Sequence, residues 1–151
     1  MSFYFADTNW LEAIYFGVPR RPVVERWMRK HASALGVSPI VVLEARNVFT
    51  RVSGLSEPPE WTLFTEDSRF YHDPINWDLL QRDVFALISH YGHKETLGTF
   101  DLAVLASSKL GGATGLLTFD SILGALSVVE GLDVFPPLDD NGKAVLAKLR
   151  R

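Results

Sequence analysis

Short apolar runs alternate with longer amphipathic stretches along the chain. Three runs, "SFYFA", "ATGLLTF" and "LDVFPP", are continuous enough to predict strands of a sheet; the first is typical of a central strand covered on both faces. The stretches between them space their apolar residues as helices do. Because strands alternate with helices and helix dominates, the pattern predicts an α/β fold with a parallel sheet.

Two of the predicted helices show a clear apolar face. One follows Ser38 and the other spans "NWDLLQRDVFALISHYG". At helical spacing, the residues predicted to share a face are Val41, Ala45, Val48, Phe49 and Val52 in the first helix, and Leu80, Val84, Leu87 and Ile88 in the second.

Proline, serine and glycine mark the predicted helix ends. Ser38 before Pro39 is typical of a helix start, and Pro22 is predicted at the first position of the preceding helix. Gly36 is predicted to cap the end of that preceding helix. The stretch "SEPPEW" is interpreted as a break, and "WTLFTEDSRFYHDP" leaves a helix or a loop with a turn open; the least determined region is 57–73. The end "KAVLAKLRR" is interpreted as a fraying basic tail.

Length and composition indicate one globular domain. The chain has 151 residues, 47% of them hydrophobic and 22% charged, with a formal net charge of −3. That charge does not by itself indicate a nucleic-acid partner, which would need a local basic patch. The absence of cysteine excludes disulfides and thiolate zinc sites. No signal peptide or membrane span is recognised, so we expect a cytoplasmic protein. The predicted domain is 1–137, followed by a tail, 138–151, that can form a short basic helix.

Four acidic residues border strongly apolar sequence. Asp7 and Asp120 directly follow two predicted strands, at the sheet edge where ligands bind in open α/β folds. Thr118 lies two residues before Asp120, on the same side of an extended strand. Glu44 lies at the margin of an apolar helix face, and Asp101 stands where a helix should start.

Each acid also has a structural interpretation. Asp7, Asp101 and Asp120 can cap helices, and Glu44 can be an ordinary exposed helix residue. Together, however, the four can converge on one pocket, where like charges raise one another's pKa. A hard divalent cation such as Mg²⁺ or Mn²⁺ relieves that repulsion and uses oxygen ligands. The residues therefore support the hypothesis of a metal-dependent hydrolase acting on phosphodiesters.

Two other features carry weaker hypotheses. The stretch "RRPVVERWMRK" can contact RNA phosphates or form a solvated or partner-docking helix face; its cationic residues are Arg20, Arg21, Arg26, Arg29 and Lys30. His90 and His93 can bind zinc only with a third ligand, and a helix end is the favoured interpretation. The four tryptophans are interpreted as packing or dimer contacts.

The order "FADTN", "VVLEARNVF", "FDLAVLASSKLGG" and "GLLTFD" resembles the PIN domain, and in particular the VapC-like toxins of toxin–antitoxin pairs. The resemblance extends from Phe3 to about Pro136. It implies a three-layer Rossmann-like α/β/α fold and an Mg²⁺- or Mn²⁺-dependent ribonuclease, with a cognate antitoxin and a homodimer. The residues matching the acidic quartet are Asp7, Glu44, Asp101 and Asp120, and those matching its polar helpers are Thr8, Asn9 and Thr118.

The chain departs from the family pattern at three positions. Ile122 and Leu123 stand where relatives with a "TFD" signature often have arginine and glutamine, and Leu105 stands where many have histidine. These departures leave the acids intact and concern substrate positioning. Two rival functions remain open: a non-catalytic PIN-fold protein-interaction module and a metal-dependent phosphatase.

Overall fold

Short parallel strands form the centre of the protein. The computed structural model describes residues 2–17, 19–31 and 33–151, and within them five strands form one sheet in the order β3-β2-β1-β4-β5. Neighbouring strands pair in parallel, which confirms the predicted sheet. The strands are β1 Tyr4–Ala6, β2 Leu35–Val37, β3 Phe70–His72, β4 Gly115–Leu117 and β5 Asp133–Phe135.

Helices flank this sheet and complete the three-layer α/β/α architecture that was predicted. Most are amphipathic and bury their apolar residues against the strands and one another in a single core. The helices are α1 Thr8–Tyr15, α2 Arg21–Lys30, α3 Pro39–Ser53, α4 Pro59–Thr65, α5 Trp77–Tyr91, α6 Thr99–Leu110, α7 Ser121–Val129 and α8 Asp140–Leu149.

The strands β2 and β3 were not predicted. The prediction that Gly36 caps a helix is wrong, because α2 already ends at Lys30 and Gly36 lies in the middle of β2. A Cβ atom at Gly36 would overlap the ring of Phe5 on the neighbouring strand. Glycine is therefore required here by close packing between two strands rather than by a helix end.

The predicted start of α3 is confirmed, and the start of α2 is shifted by one residue. The hydroxyl Oγ of Ser38 accepts a hydrogen bond from the backbone N–H of Val41 at 3.3 Å, and Pro39 is the first helical residue. Pro22 is the second residue of α2 rather than the first, since that helix begins at Arg21. The apolar faces of α3 and α5 are buried as predicted except at their C-terminal ends, where Val52 and Ile88 are exposed.

The C-terminal segment forms a packed helix, so the interpretation of its end as a fraying tail is wrong. Val145 and Leu149 of α8 are buried in the same core as α7. The domain boundary predicted after residue 137 stays a prediction. Among the described residues, no helix is both long and apolar enough to cross a membrane.

The strand order places a topological switch point between β1 and β4. From β1 the chain passes to β2 and then β3 on one side, whereas β4 and β5 extend the sheet on the other side. In open parallel sheets, ligands bind outside the carboxyl ends of the strands at such a point. The residues that follow β1 and β4 therefore define the first place to look for a site.

Candidate functional site

Asp7 and Asp120 lie at this switch point. Asp7 directly follows β1, and Asp120 follows β4 after Thr118 and Phe119. The backbone N–H of Asp7 donates to the carbonyl of Leu117 at 2.9 Å, which continues the pairing of β1 with β4 up to the acid itself. Strand pairing thus fixes the position of the Asp7 backbone.

The hydroxyl of Thr118 connects the two acids. It donates a hydrogen bond to Oδ2 of Asp7 at 2.7 Å and accepts one from the backbone N–H of Asp120 at 3.0 Å. Asn9 braces the same turn, because its Oδ1 accepts from the N–H of Phe119 at 3.2 Å and its Nδ2 lies 3.5 Å from the Thr118 hydroxyl. Residues 110 positions apart in sequence are thereby held in one network.

The carboxyl group of Asp7 is buried, with 6% of the residue exposed. Burial is the largest effect on its pKa and, together with the charges of Glu44 and Asp101, raises that pKa from 3.8 to about 7. Hydrogen bonds from Thr118 and from the N–H of Thr8 oppose the rise. An ionised Asp7 is therefore costly unless a cation compensates its charge.

Both strand-end acids also cap helices. Oδ1 of Asp7 accepts from the N–H of Thr8 at 2.8 Å at the start of α1, and Oδ1 of Asp120 accepts from the N–H of Leu123 at 2.8 Å at the start of α7. A carboxylate has about four acceptor positions, and in the described residues Oδ2 of Asp120 accepts no hydrogen bond. Capping therefore leaves acceptor positions unused on both carboxyl groups.

Glu44 and Asp101 approach from α3 and α6. Glu44 lies in the middle of α3 and is half-buried, so its interpretation as an ordinary exposed residue is wrong. Asp101 is the third residue of α6, whose N-cap is Gly98, so the interpretation of Asp101 as that cap is also wrong. Burial, followed by the charges of Asp120 and Glu44, raises the pKa of Asp101 to about 6.

The four acids interact electrostatically but have no cationic partner. In the part of the chain that the structure describes, none of them forms an ion pair with lysine, arginine or histidine. Six other acidic residues do form such pairs: Glu25, Glu57, Asp67, Asp83, Glu95 and Glu130. The quartet is thus a concentration of negative charge without an internal counter-ion.

The donor set fits a hard divalent cation that keeps some of its water. Within residues 2–17, 19–31 and 33–151, no three acidic or histidine side chains are close enough to hold one ion together. Mg²⁺ usually retains several waters and takes one or two carboxylates directly, so the wider spacing is compatible with binding partly through water. The hydroxyl of Thr8, beside Asp7, is buried without a hydrogen-bond partner among the described residues, as expected of a group that a bound water satisfies.

The basic residues of the α2 region divide into two groups. The guanidinium of Arg20 lies 4.5 Å from the ring centre of Phe119, the residue before Asp120, and Arg20 lines a cavity together with Asp120. Arg21 forms an ion pair with Glu25 at 2.9 Å. Arg26, Arg29 and Lys30 follow along α2 and form no ion pair in the described part of the chain. Of these five cations, Arg20 lines the cavity that contains Asp120, whereas the others line different surface cavities.

The position of His90 agrees with the helix-end interpretation, and two tryptophans pack in the core, while dimer contacts by tryptophan stay a prediction. His90 lies in the last turn of α5 and His93 just after it, and neither belongs to a possible metal cluster in the described ranges. Trp10 and Trp27 are buried and pack edge to face. Trp77 is 58% exposed.

The chain belongs to the PIN domain family, whose family model matches residues 4–129. Its structure is similar to that of VapC20 from Mycobacterium tuberculosis, described as a toxin that cleaves the sarcin-ricin loop. The TM-score is 0.68 at 17% identity, and the match covers 87% of this chain and 98% of the other. PAE2754 from Pyrobaculum aerophilum is also similar, with a TM-score of 0.53 at 16% identity over 99% and 96% of the two chains. No curated protein sequence matches the chain.

Sequence reasoning missed the surroundings of Asp120. Phe119, Ser121 and Asp139 line a cavity beside it together with Arg20. Asp139 lies 19 positions after Asp120, at the start of α8, and Ser121 Oγ donates to both of its carboxylate oxygens at 3.0 and 2.9 Å. A pair of neighbouring polar side chains from two helix starts has no recognisable spacing in sequence, so only the packing of α8 on α7 reveals it.

Proposed function

We propose that this protein is a metal-dependent endoribonuclease that hydrolyses RNA phosphodiester bonds with Mg²⁺ or Mn²⁺. The observation that supports this most strongly is the quartet Asp7, Glu44, Asp101 and Asp120 at the switch point of a PIN-family sheet, with no cationic partner in the described residues. Such a site attracts a divalent cation.

In this proposal the quartet holds the cation directly or through water. When bound, the cation stabilises charge on the phosphodiester and lowers the pKa of a water molecule. Thr118 keeps Asp7 in place by its 2.7 Å hydrogen bond, and Asn9 braces the Phe119 turn. One carboxylate of the quartet accepts the proton of the attacking water as general base.

The RNA backbone contacts the basic residues around α2 in this proposal. The phosphates near the reacting group contact Arg20, and phosphates farther along the RNA contact the exposed cations of α2. These residues are Arg20, Arg21, Arg26, Arg29 and Lys30. The structural similarity to VapC20, which is described as a toxin that cleaves the sarcin-ricin loop, supports the choice of RNA as the proposed substrate.

We further propose that the protein is the toxin of a toxin–antitoxin pair in the cytoplasm. In this proposal it forms a homodimer and a complex with a cognate antitoxin. Leu43 and Trp77, exposed by 60% and 58%, line a common cavity and supply apolar surface for such contacts. Light scattering with and without the product of a short neighbouring gene tests both assemblies.

The testing experiment compares cleavage of total RNA by wild type, Asp7→Asn and Asp101→Asn with Mn²⁺ or with a chelator. We expect cleavage only by wild type and only with metal. Asp78→Asn is the matched control, because Asp78 is an exposed acid in the first turn of α5 and is not among the charges that raise the pKa of Asp7 or Asp101. Cleavage that is equal in all four proteins does not depend on the quartet and would refute the proposal, as would the absence of cleavage by wild type with Mn²⁺.

One observation favours a second function, a non-catalytic interaction module. Asp7 and Asp120 both cap helices, so these acids also have a structural use. The module predicts no cleavage of any RNA pool by folded, metal-supplemented wild type. A metal-dependent phosphatase would instead release phosphate from a phosphomonoester in the same buffers while leaving RNA intact.

A further inference from the structure

A cavity of about 200 Å³ lies beside the acidic site. Thr118 and Asp120 form the wall that it shares with the site, and Pro136, Pro137 and Leu138 form an apolar wall from the loop between β5 and α8. Pockets for drug-sized ligands measure roughly 300–1,000 Å³. This cavity is therefore sized for a single small group rather than for a drug-sized ligand.

Arg20 at the mouth of the cavity is held by an aromatic stack. Trp10 is fully buried in the core, Phe119 stacks on it with ring centres 5.7 Å apart and an interplanar angle of 19°, and the Arg20 guanidinium lies 4.5 Å from the Phe119 ring centre. Arginine side chains stack well on aromatic faces. The guanidinium is thus positioned before any ligand arrives, and guanidinium planes are platforms on which unpaired RNA bases stack.

Ser121 and Asp139 give the cavity a polar part made of acceptors. The Ser121 hydroxyl donates to both carboxylate oxygens of Asp139, and Oδ1 of Asp139 also accepts from the N–H of Gly142 at 2.7 Å. These hydrogen bonds, that from Gly142 first, hold the pKa of Asp139 below its usual range. Because the single hydroxyl hydrogen of Ser121 is already donated to Asp139, the pair can only accept further hydrogen bonds. The acceptors are lone pairs on Ser121 Oγ and Asp139 Oδ2.

We propose that this cavity binds one unpaired nucleobase next to the cleaved phosphodiester, and that it prefers guanine. This inference rests on the proposed ribonuclease function, which places the RNA backbone at Asp120. Arg20 stacks on the base, the proline wall covers it, and the acceptor pair of Ser121 and Asp139 reads its edge. Guanine alone presents two adjacent donors, N1–H and the N2 amino group, to two adjacent acceptors, whereas adenine presents one amino group beside an acceptor.

The test measures binding, so that it does not depend on cleavage. The full-length Asp7→Asn protein in Mg²⁺ is titrated with labelled short oligouridylates that carry one guanosine, inosine or adenosine, and fluorescence anisotropy gives each Kd. Asp139→Asn removes the charge and keeps a good helix cap. Arg20→Lys keeps the charge and removes the planar group. Arg51→Met is the matched control, because Arg51 is an exposed cation in the last turn of α3 and does not line the cavity.

We expect the guanosine strand to bind about tenfold more tightly than the adenosine strand, as for a good bidentate base contact, with inosine in between. Asp139→Asn should remove this preference, and Arg20→Lys should weaken all three strands, while Arg51→Met should keep the order. The absence of a guanosine preference, or its survival in Asp139→Asn, overturns the inference. Binding of no strand overturns it as well.

Cleavage by wild type then separates the two proposals. If wild type cuts RNA but the binding assay shows no guanosine preference, the ribonuclease function is supported and the base pocket is refuted. If wild type binds guanosine strands selectively but cuts none of them, the base pocket is supported and the ribonuclease function is refuted.

Discussion

Replacing Asp7 by asparagine should stabilise the metal-free protein at alkaline pH. The pKa of Asp7 is raised by burial from 3.8 to about 7 in the folded protein. Each pH unit of difference corresponds to about 1.36 kcal/mol, so ionising Asp7 in the fold costs about 4 kcal/mol above that pKa. Because the folded pKa lies above the unfolded one, this cost is absent below about pH 4 and is complete above about pH 7.

Asparagine removes the ionisation but also weakens one hydrogen bond. Its amide nitrogen cannot accept from the Thr118 hydroxyl as Oδ2 of Asp7 does at 2.7 Å, which costs about 1 kcal/mol at every pH. The difference between these two effects predicts that Asp7→Asn is about 1 kcal/mol less stable than wild type near pH 4 and about 3 kcal/mol more stable near pH 8.

Urea unfolding of both proteins with a chelator present, at several values between these pH limits, gives the two free energies of unfolding. Asp78→Asn serves as the control, because an exposed acid should show no such dependence. A constant difference between Asp7→Asn and wild type across the whole range would refute the reasoning that burial of an uncompensated carboxylate raises the pKa.

Three further results are expected. Thr118→Val should cost about 1–3 kcal/mol in urea unfolding and reduce RNA cleavage, because it leaves the N–H of Asp120 unpaired, whereas Thr118→Ser should retain both properties. Asp67→Asn should destabilise the protein by about 1–2 kcal/mol at neutral pH. Burial opposes the ionised form of Asp67, but hydrogen bonds from Arg69 and Tyr15 lower its pKa to about 2. The stability that ionised Asp67 contributes is therefore present above about pH 4 and lost toward pH 2. Gly36→Ala should lower the melting temperature by several degrees, because the new Cβ overlaps Phe5; an unchanged melting temperature would contradict the packing described for β1 and β2.

The elements with a long periodic pattern could be predicted from sequence. Helices α3 and α5 repeat their apolar positions over four turns, and β1 and β4 are unbroken apolar runs. The strands β2 and β3 could not be predicted, because neither forms an unbroken apolar run: glycine interrupts β2, and β3 ends in His72. In the sequence, Gly36 of β2 stands where a glycine that ends a helix would be expected. Only the structure shows that glycine is needed there because Phe5 packs against it.

The sequence singled out the four acids as candidates because two of them follow apolar strands and the other two border apolar helical sequence. Their environment could not be predicted. Thr118 was placed on the side of Asp120, but its hydroxyl also bonds to Asp7, 111 positions away, which depends on the pairing of β1 with β4. The stack of Arg20 on Phe119 likewise depends on how the start of α2 lies against the turn after β4. Such contacts depend on the order of the strands in the sheet, which the pattern of apolar and polar residues does not predict.

The most direct measurement of the central claim is the binding of Mn²⁺, followed by the electron paramagnetic resonance signal of the free ion. The account predicts that wild type removes Mn²⁺ from solution and that Asp7→Asn and Asp101→Asn remove far less, while Asp78→Asn behaves as wild type. Failure of wild type to bind Mn²⁺, or equal binding by all four proteins, would contradict the assignment of the carboxylate quartet as a cation site.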